Sequence, residues 1–492
     1  MSESLGHYID GQWLDGEGES FVSHDPATGE PCWIGHAATP ERVDHAVTAA
    51  RRAQPAWAAL GVDDRTAVIE RFKQQLESHR DELAETISIE TGKPHWESLT
   101  EVAAMIGKIP LSIQAYHQRR PPTPTAIDLP SARGQMRYRP LGVLAVFGPF
   151  NFPGHVANGH IVPALLAGNS IVFKPSELTP LVAQQTIELW HDAGLPPGVI
   201  NLVQGAGETG AALVNHDGHD GVLFTGSYRT AVTISRALAD RPEKMLALEL
   251  GGNNPLIVHG VGDYHAAAYH AVQSCFITAG QRCTCARRVI VPTGAGGDAF
   301  IDALAHMTQC IRIGRYSDEP EPFIGPVISE AAARKLLNDQ QAMIDRGGEA
   351  LLSMTRCDRA GSFVTPGIVD VTGAVDRPDE ECFGPLAQII RTADLDAAID
   401  EANNTRFGLV AGLFSDDRAA FDHFAAHIRA GLINWNRPTT GASGRLPFGG
   451  VGRSGNHRPS GYFATDYCTD TVASLQVERM QYPDTPTPGI EA

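Results

Sequence analysis

Three side chains, far apart in the chain, have the chemistry to attack an electrophilic carbon and hydrolyse the adduct. Cys283 stands in Ala279-Gly280-Gln281-Arg282-Cys283-Thr284-Cys285. A nucleophilic thiol must be reachable and partly thiolate, and a glycine-containing loop beside Arg282 is compatible with both. The same cysteine also reads as a buried core residue, the role that suits Cys275, Cys310 and Cys357. A metal site is poorly supported, because Cys283 and Cys285 form a lone C-x-C with no second pair at zinc-ribbon spacing. Glu249 stands in Leu246-Ala247-Leu248-Glu249-Leu250-Gly251-Gly252. A carboxyl flanked by leucines at a strand end is costly to bury, and burial raises its pKa toward that of a useful base. A salt-bridged strand-end glutamate is the alternative, and Gly251-Gly252 favours the functional reading because backbone is allowed close to something there. Asn151, in Gly148-Pro149-Phe150-Asn151-Phe152-Pro153, is either an Asx-turn residue or a rigid amide donor for an oxyanion.

Four further stretches bear on nucleotide binding. Gly205-Ala206-Gly207-Glu208-Thr209-Gly210 matches G-x-G-x-x-G but lacks an acidic residue ending a strand downstream. It reads as a tight strand-to-helix turn. Phe224-Thr225-Gly226-Ser227 offers a close-approach glycine and a helix-capping serine. An ordinary cap and a pyrophosphate site explain it equally. Lys174-Pro175-Ser176-Glu177 is a solvated charge pair by spacing alone, yet the same pair suits ribose hydroxyls, and a carboxylate there would repel a 2′-phosphate. His155 and His160 are five apart with no H-E-x-x-H, so they read as helix or pocket residues.

These groups need a scaffold that brings loops together. Val43, Val47, Ala50 and Trp57, and again Val68, Phe72 and Leu76, fall near helical spacing. Arg119-Arg120-Pro121-Pro122-Thr123-Pro124 cannot be a helix interior, and the stretch ending Gln135-Met136-Arg137-Tyr138-Arg139-Pro140 reads as an extended arm. Apolar runs at 143–147, 171–173, 199–203, 222–224, 246–250 and 256–258 mostly alternate with helix-length segments. That is the pattern of a parallel sheet covered by helices, which binds ligands at its carboxyl edge. A second α/β region follows, with strands at 288–291 and 432–435, and a last strand at 472–476.

A chain of 492 residues predicts two or three domains. The net charge of −18 argues against nucleic acid and anionic membrane as partners. The stretch 161–173 is too short and interrupted to span a bilayer, and Met1-Ser2-Glu3-Ser4 lacks the features of a signal peptide. Eight scattered cysteines predict a reduced, cytoplasmic protein.

Together these residues resemble the aldehyde dehydrogenase superfamily over essentially the whole chain. The resemblance is carried, in the family's order, by the Pro149–Pro153 turn, Lys174-Pro175-Ser176-Glu177, Phe224-Thr225-Gly226-Ser227, Leu248-Glu249-Leu250-Gly251-Gly252 and Gly280-Gln281-Arg282-Cys283. It continues in Glu381-Cys382-Phe383-Gly384-Pro385 and Pro447-Phe448-Gly449-Gly450. The stretches 154–163, 280–288, 434–438 and 455–460 are most similar to the branch that oxidises N-succinylglutamate 5-semialdehyde in arginine breakdown. A relative acting on succinate or glutamate semialdehyde is the alternative. A CoA-acylating relative would not need Glu249.

The resemblance implies an α/β fold with a doubly wound NAD-binding domain (1–119 and 141–252), an α/β catalytic domain (253–454) and a small β bridging arm (120–140 and 455–492). The arm implies a homodimer or larger assembly. It further implies Cys283 as nucleophile, Asn151 as oxyanion donor and Glu249 as hydrolytic base. Lys174 and Glu177 would bind the adenosine ribose of NAD, the loop Gly226, Ser227, Tyr228, Arg229, Thr230 and Ala231 its pyrophosphate, and Glu381 and Phe383 the nicotinamide side. Arg437 and Arg458 are candidates for holding the substrate carboxylates, with loop stabilisation as the alternative. Two positions depart from the family's usual pattern: Ala231 replaces a common glycine, and Phe150 a common tryptophan.

Overall fold

The computed structural model describes residues 4–129, 132–482 and 485–490. The reading of the N-terminus therefore falls largely outside the described residues, as do 130–131, 483–484 and 491–492 of the stretches assigned to the arm.

The helical spacings near the N-terminus become the helices Pro40–Ala59 and Val62–Ser78. Val43, Val47, Ala50, Trp57, Phe72 and Leu76 are all at most 1% exposed. The first large sheet has the order Met245–Leu250, Gly221–Gly226, Val143–Phe147, Ser170–Lys174, Ile200–Leu202, all parallel. The hairpin His7–Ile9 and Gln12–Leu14 adds to the edge. Both faces are covered. Leu144 and Val146 enter one core with Phe72 and Trp190, while Val143, Ala145 and Phe147 enter another with Val43 and Leu213. That two-sided burial is why these strands read as unbroken apolar runs. The strand order reverses between Val143–Phe147 and Gly221–Gly226, which opens a crevice at their carboxyl ends.

The run 256–258 does not extend this sheet. Only residues 251–253 separate Met245–Leu250 from Asn254–Val258, and a parallel neighbour needs a crossover of roughly a dozen residues or more. The chain passes instead into a second sheet, ordered Glu349–Leu352, Gly367–Asp370, Leu386–Thr392, Ala286–Pro292, Asn254–Val258, Val410–Phe414, Leu432–Trp435. This sheet is parallel except for its first pair.

The helix His95–Arg119 ends where the proline cluster begins. Thr125–Leu129, Ala132–Pro140 and Thr469–Gln476 then make a three-stranded antiparallel sheet. The residues just before its last strand lie elsewhere: Ala464, Tyr467 and Cys468 are buried in the core that holds Phe72 and Trp190. Among the described residues, no helix is long and apolar enough to cross a membrane.

Asn169 ties the three-stranded sheet to this frame. Its Nδ2 donates to the carbonyls of Cys468 at 2.8 Å and Ala164 at 3.0 Å, and its Oδ1 accepts from Gly142 N at 2.9 Å. Asn169 is fully buried. Asn169→Ala leaves buried backbone groups unpaired, so the urea unfolding midpoint should fall by the equivalent of about 2–3 kcal/mol. An unchanged midpoint would show that these bonds do not hold the junction.

Candidate active site

The crevice is a cavity of about 710 Å³. It is lined by Asn151, Lys174, Glu177, Gly226, Ser227, Thr230, Glu249, Cys283, Glu381 and Phe383. Residues from distant parts of the sequence thus converge on one space between the carboxyl ends of the first sheet and a loop entering the second. Ser227 caps the helix Tyr228–Ala237, accepting from Thr230 N at 3.2 Å, so a helix start carrying free N–H groups borders the cavity. Lys174 is 7% exposed; its Nζ donates to the Pro175 carbonyl at 2.7 Å and lies 3.7 Å from Glu177 Oε2. Burial pushes the Lys174 ammonium down to about 8, against the opposing pull of Glu177.

The Gly205–Gly210 stretch is a strand-to-helix turn, leading from Ile200–Leu202 into the helix Gly207–Asn215, but it is also part of the site. Gly207 and Gly210 line the cavity. A Cβ at Gly210 would come within 3.6 Å of both Lys174 Cδ and Phe147 Cε1.

Three consecutive left-handed residues, Thr278, Ala279 and Gly280, with φ of 59°, 49° and 69°, fold the loop before Cys283 tightly. Glycine is required at the third, where a Cβ would lie 2.1 Å from the Gly384 carbonyl oxygen. Strain of this kind persists only where surroundings over-determine it. Here Arg287, fully buried, donates to the carbonyls of Gly280 at 2.6 Å and Arg282 at 2.8 Å. Asn254 Nδ2 donates to the carbonyls of Cys283 at 2.7 Å and Cys285 at 2.9 Å. Cys285 is buried and Cys283 is half-buried on the cavity.

Arg282, although next to Cys283 in the sequence, is bound elsewhere. Its guanidinium is bound to Glu97 Oε1 at 2.8 Å and Thr278 Oγ1 at 2.7 Å, beneath the Phe152 ring. Burial, then the carboxylates of Glu381 and Glu249, push the Cys283 thiol up to about 12. Ionisation of the Cys283 thiol is thus disfavoured in the cofactor-free protein.

Glu249 is 7% exposed at the end of Met245–Leu250. Burial raises its carboxyl to about 7, opposed by a hydrogen bond from Ser460 and by the charge of Lys108. The loop ahead of Ser460 covers it: Asn456 Oδ1 accepts from Leu248 N at 2.9 Å and its Nδ2 donates to the Leu246 carbonyl at 2.8 Å. The close approach at Gly251 is to Glu381, whose Oε2 would be 1.8 Å from an added Cβ. Asn151 Nδ2 donates to the Gln281 carbonyl at 2.8 Å, which docks it on the cysteine loop and leaves its second amide proton for another acceptor.

Tyr228, Arg229 and Ala231 are not in the lining. Tyr228 lies under Arg453 with 4.6 Å from guanidinium to ring, Arg229 is exposed, and Ala231 is buried in the core beside Val222 and Phe224. Arg437 and Arg458 are both exposed and outside the cavity. His160 is a core histidine, bonded to Tyr467 Oη at 2.8 Å and Thr225 Oγ1 at 3.0 Å.

A thiol held near 12 should be alkylated slowly at neutral pH. In the cofactor-free protein, iodoacetamide labelling of the Cys283 peptide, followed by mass, should accelerate roughly tenfold per pH unit between about pH 7 and pH 9. A rate that is flat over that interval would mean a thiolate already formed.

Comparisons with known proteins agree with this architecture. Residues 13–473 match the model of the aldehyde dehydrogenase family. The N-succinylglutamate 5-semialdehyde dehydrogenase of Chromobacterium violaceum is 53% identical over 98% of this chain and 99% of its own. The protein of the same name from Ectopseudomonas mendocina is also 53% identical, over 98% and 99%. Among solved structures, the betaine aldehyde dehydrogenase of Staphylococcus aureus in complex with NAD+ superposes with a TM-score of 0.92 at 28% identity, covering 98% of this chain and 97% of its own. With the cysteine loop, the buried strand-end glutamate and this match across nearly the whole length, the chain belongs to the aldehyde dehydrogenase family.

Proposed function

We propose that this protein oxidises N-succinylglutamate 5-semialdehyde to N-succinylglutamate in arginine breakdown, with NAD as the cofactor and water as the source of oxygen. The observation that carries the reading is the convergence of Cys283, Glu249 and Asn151 on one cavity with Lys174, Glu177 and the Ser227 helix start. The substrate is supported by the relatives named for it at 53% identity across the chain.

The fit to a dinucleotide rests on the cavity itself. A side-chain-free cradle at Gly207 and Gly210 lies beside the buried ammonium of Lys174, and the Ser227 helix start opens on the same space. Glu177 beside Lys174 disfavours a 2′-phosphate, which selects NAD over NADP. Glu381 and Phe383 line the same cavity as Cys283 and would flank the nicotinamide there.

In the reaction Cys283 gives up its proton and attacks the aldehyde carbon, forming a thiohemiacetal. The thiol proton leaves to solvent, so Glu249 remains free for the second half of the reaction. The free amide proton of Asn151 and the backbone N–H of Cys283 donate to the oxyanion. NAD, when bound, supplies the hydride acceptor that leaves a thioester on Cys283. Glu249 then takes a proton from water as its oxygen attacks the thioester carbon, and the Cys283 sulfur departs. A carboxyl near 7 is ionised enough at neutral pH for this and loses the role as pH falls through that value.

The assembly is a homodimer or larger. Thr125–Leu129 is exposed along its whole length, and Ile127 at 50% and Leu475 at 74% leave apolar surface on this three-stranded sheet for a second copy to cover. Eight free cysteines support a reduced, cytoplasmic setting.

Comparing initial rates of NADH formation tests the substrate. kcat/KM for N-succinylglutamate 5-semialdehyde should exceed that for succinate or glutamate semialdehyde by about tenfold or more, and NAD should outperform NADP, a margin of ~1.4 kcal/mol. A higher value with either smaller aldehyde would reassign the substrate.

A further inference from the structure

Glu97 and Glu101 lie one turn apart on one face of the helix His95–Arg119, and each is at most 1% exposed. Each is half of an ion pair. Glu101 holds the ammonium of Lys93 at 2.5 Å, and Lys93 is itself buried. Glu97 Oε1 accepts from Arg282 Nη2 at 2.8 Å and from the Thr278 hydroxyl, while its Oε2 is buried with no hydrogen-bond partner. Pairs of this kind add little to stability, because desolvation offsets their attraction. What they supply is a fixed geometry.

That geometry converges on one ring. Phe152 lines the cavity. The Lys93 ammonium lies 3.7 Å from the centre of its ring and the Arg282 guanidinium 4.9 Å, both within cation–π range. Phe152 follows Asn151, and Arg282 follows Gln281. The Phe152–Arg282 contact therefore stands beside the Asn151–Gln281 hydrogen bond of 2.8 Å, and the two join the turn of the first sheet to the cysteine loop of the second. Both sides of this joint are tied to the same helix. Glu101 Oε1 accepts from Gly154 N and His155 N at 3.0 Å each, just after the turn. Glu97 reaches the loop through Thr278, one of its left-handed residues, and through Arg282, next to Cys283. Lys93, Glu97, Glu101 and Arg282 are not in the cavity lining, so they act on it through what they hold.

We propose that Glu97 and Glu101 are positioning residues for the oxyanion: by holding Arg282 and Lys93 against the Phe152 ring, they fix the Asn151 amide relative to Cys283. The inference rests on the reading of Cys283 as nucleophile and Asn151 as oxyanion donor. One hydrogen bond alone lets the turn pivot against the loop. A second contact, one residue along, removes that freedom. An amide donor works only where its proton meets the oxyanion, and a displacement of ~1 Å costs about a hundredfold in rate.

A double-mutant cycle on NADH formation in a single turnover tests this, with enzyme in excess over N-succinylglutamate 5-semialdehyde and NAD saturating. Glu97→Gln and Glu101→Gln should each slow that turnover about tenfold, while the Kd of NAD stays within about twofold. In the Asn151→Ala background the same substitutions should cost less than about twofold, because the amide they position is gone. Should either variant misfold, Arg282→Gln or Lys93→Gln removes the same ion pair from its other side and enters the cycle instead. An equal slowing in both backgrounds would mean a general loss of packing, and overturns the proposal. So does a folded variant whose turnover stays within about threefold of the wild type. A wild type that oxidises no aldehyde overturns the reading of the site, and the proposal with it. A wild type that does so, with an additive cycle, overturns the proposal alone.

Discussion

Burying a carboxyl beside a thiol is the constraint around which this site is organised. Glu249 ends a central strand, under a loop whose Asn456 hydrogen-bonds the same strand's backbone, so water has little access to it. Desolvation holds it near 7 rather than in the ordinary carboxylate range. Its charge, with that of Glu381, works against ionising Cys283. A thiol whose ionisation is disfavoured in this way is less open to alkylation and oxidation.

The geometry that makes this pairing possible comes from loops of two sheets lining one cavity. The first sheet supplies a crevice where its strand order reverses, with Lys174 and Glu249 at strand ends and Asn151 and Ser227 just beyond them. The second supplies a strained loop, three left-handed residues long, held from below by Arg287 and Asn254. Asn151 joins the halves, since its amide belongs to the first sheet and its hydrogen bond to the loop of the second. The same buried arginine lies 3.8 Å from Glu381, so the clamp on the cysteine loop and the carboxylate at the cavity wall are mechanically one unit.

Much of this was legible in the residues, for identifiable reasons. Strands covered on both faces announce themselves as apolar runs, and Glu249, Cys283 and Asn151 sit in motifs whose order is distinctive. The strand Asn254–Val258 was misassigned to the first sheet because hydropathy carries no information on which sheet a strand joins; the three-residue connection before it did. Arg282 misled because adjacency in sequence does not say where a side chain points, and its partner Glu97 is 185 positions away. Gly207 and Gly210 read as a strand-to-helix turn, which they form, and only the folded chain places them on the cavity wall.

The central claim is that Cys283 carries the acyl group and Glu249 releases it. The most direct measurement is the mass of the Glu249→Gln protein after mixing with NAD and N-succinylglutamate 5-semialdehyde, with NADH counted in the same sample. The account predicts about one NADH per intact site followed by arrest, with the acyl mass on the peptide containing Cys283. Continued turnover, or an acyl mass on any other residue, would contradict it.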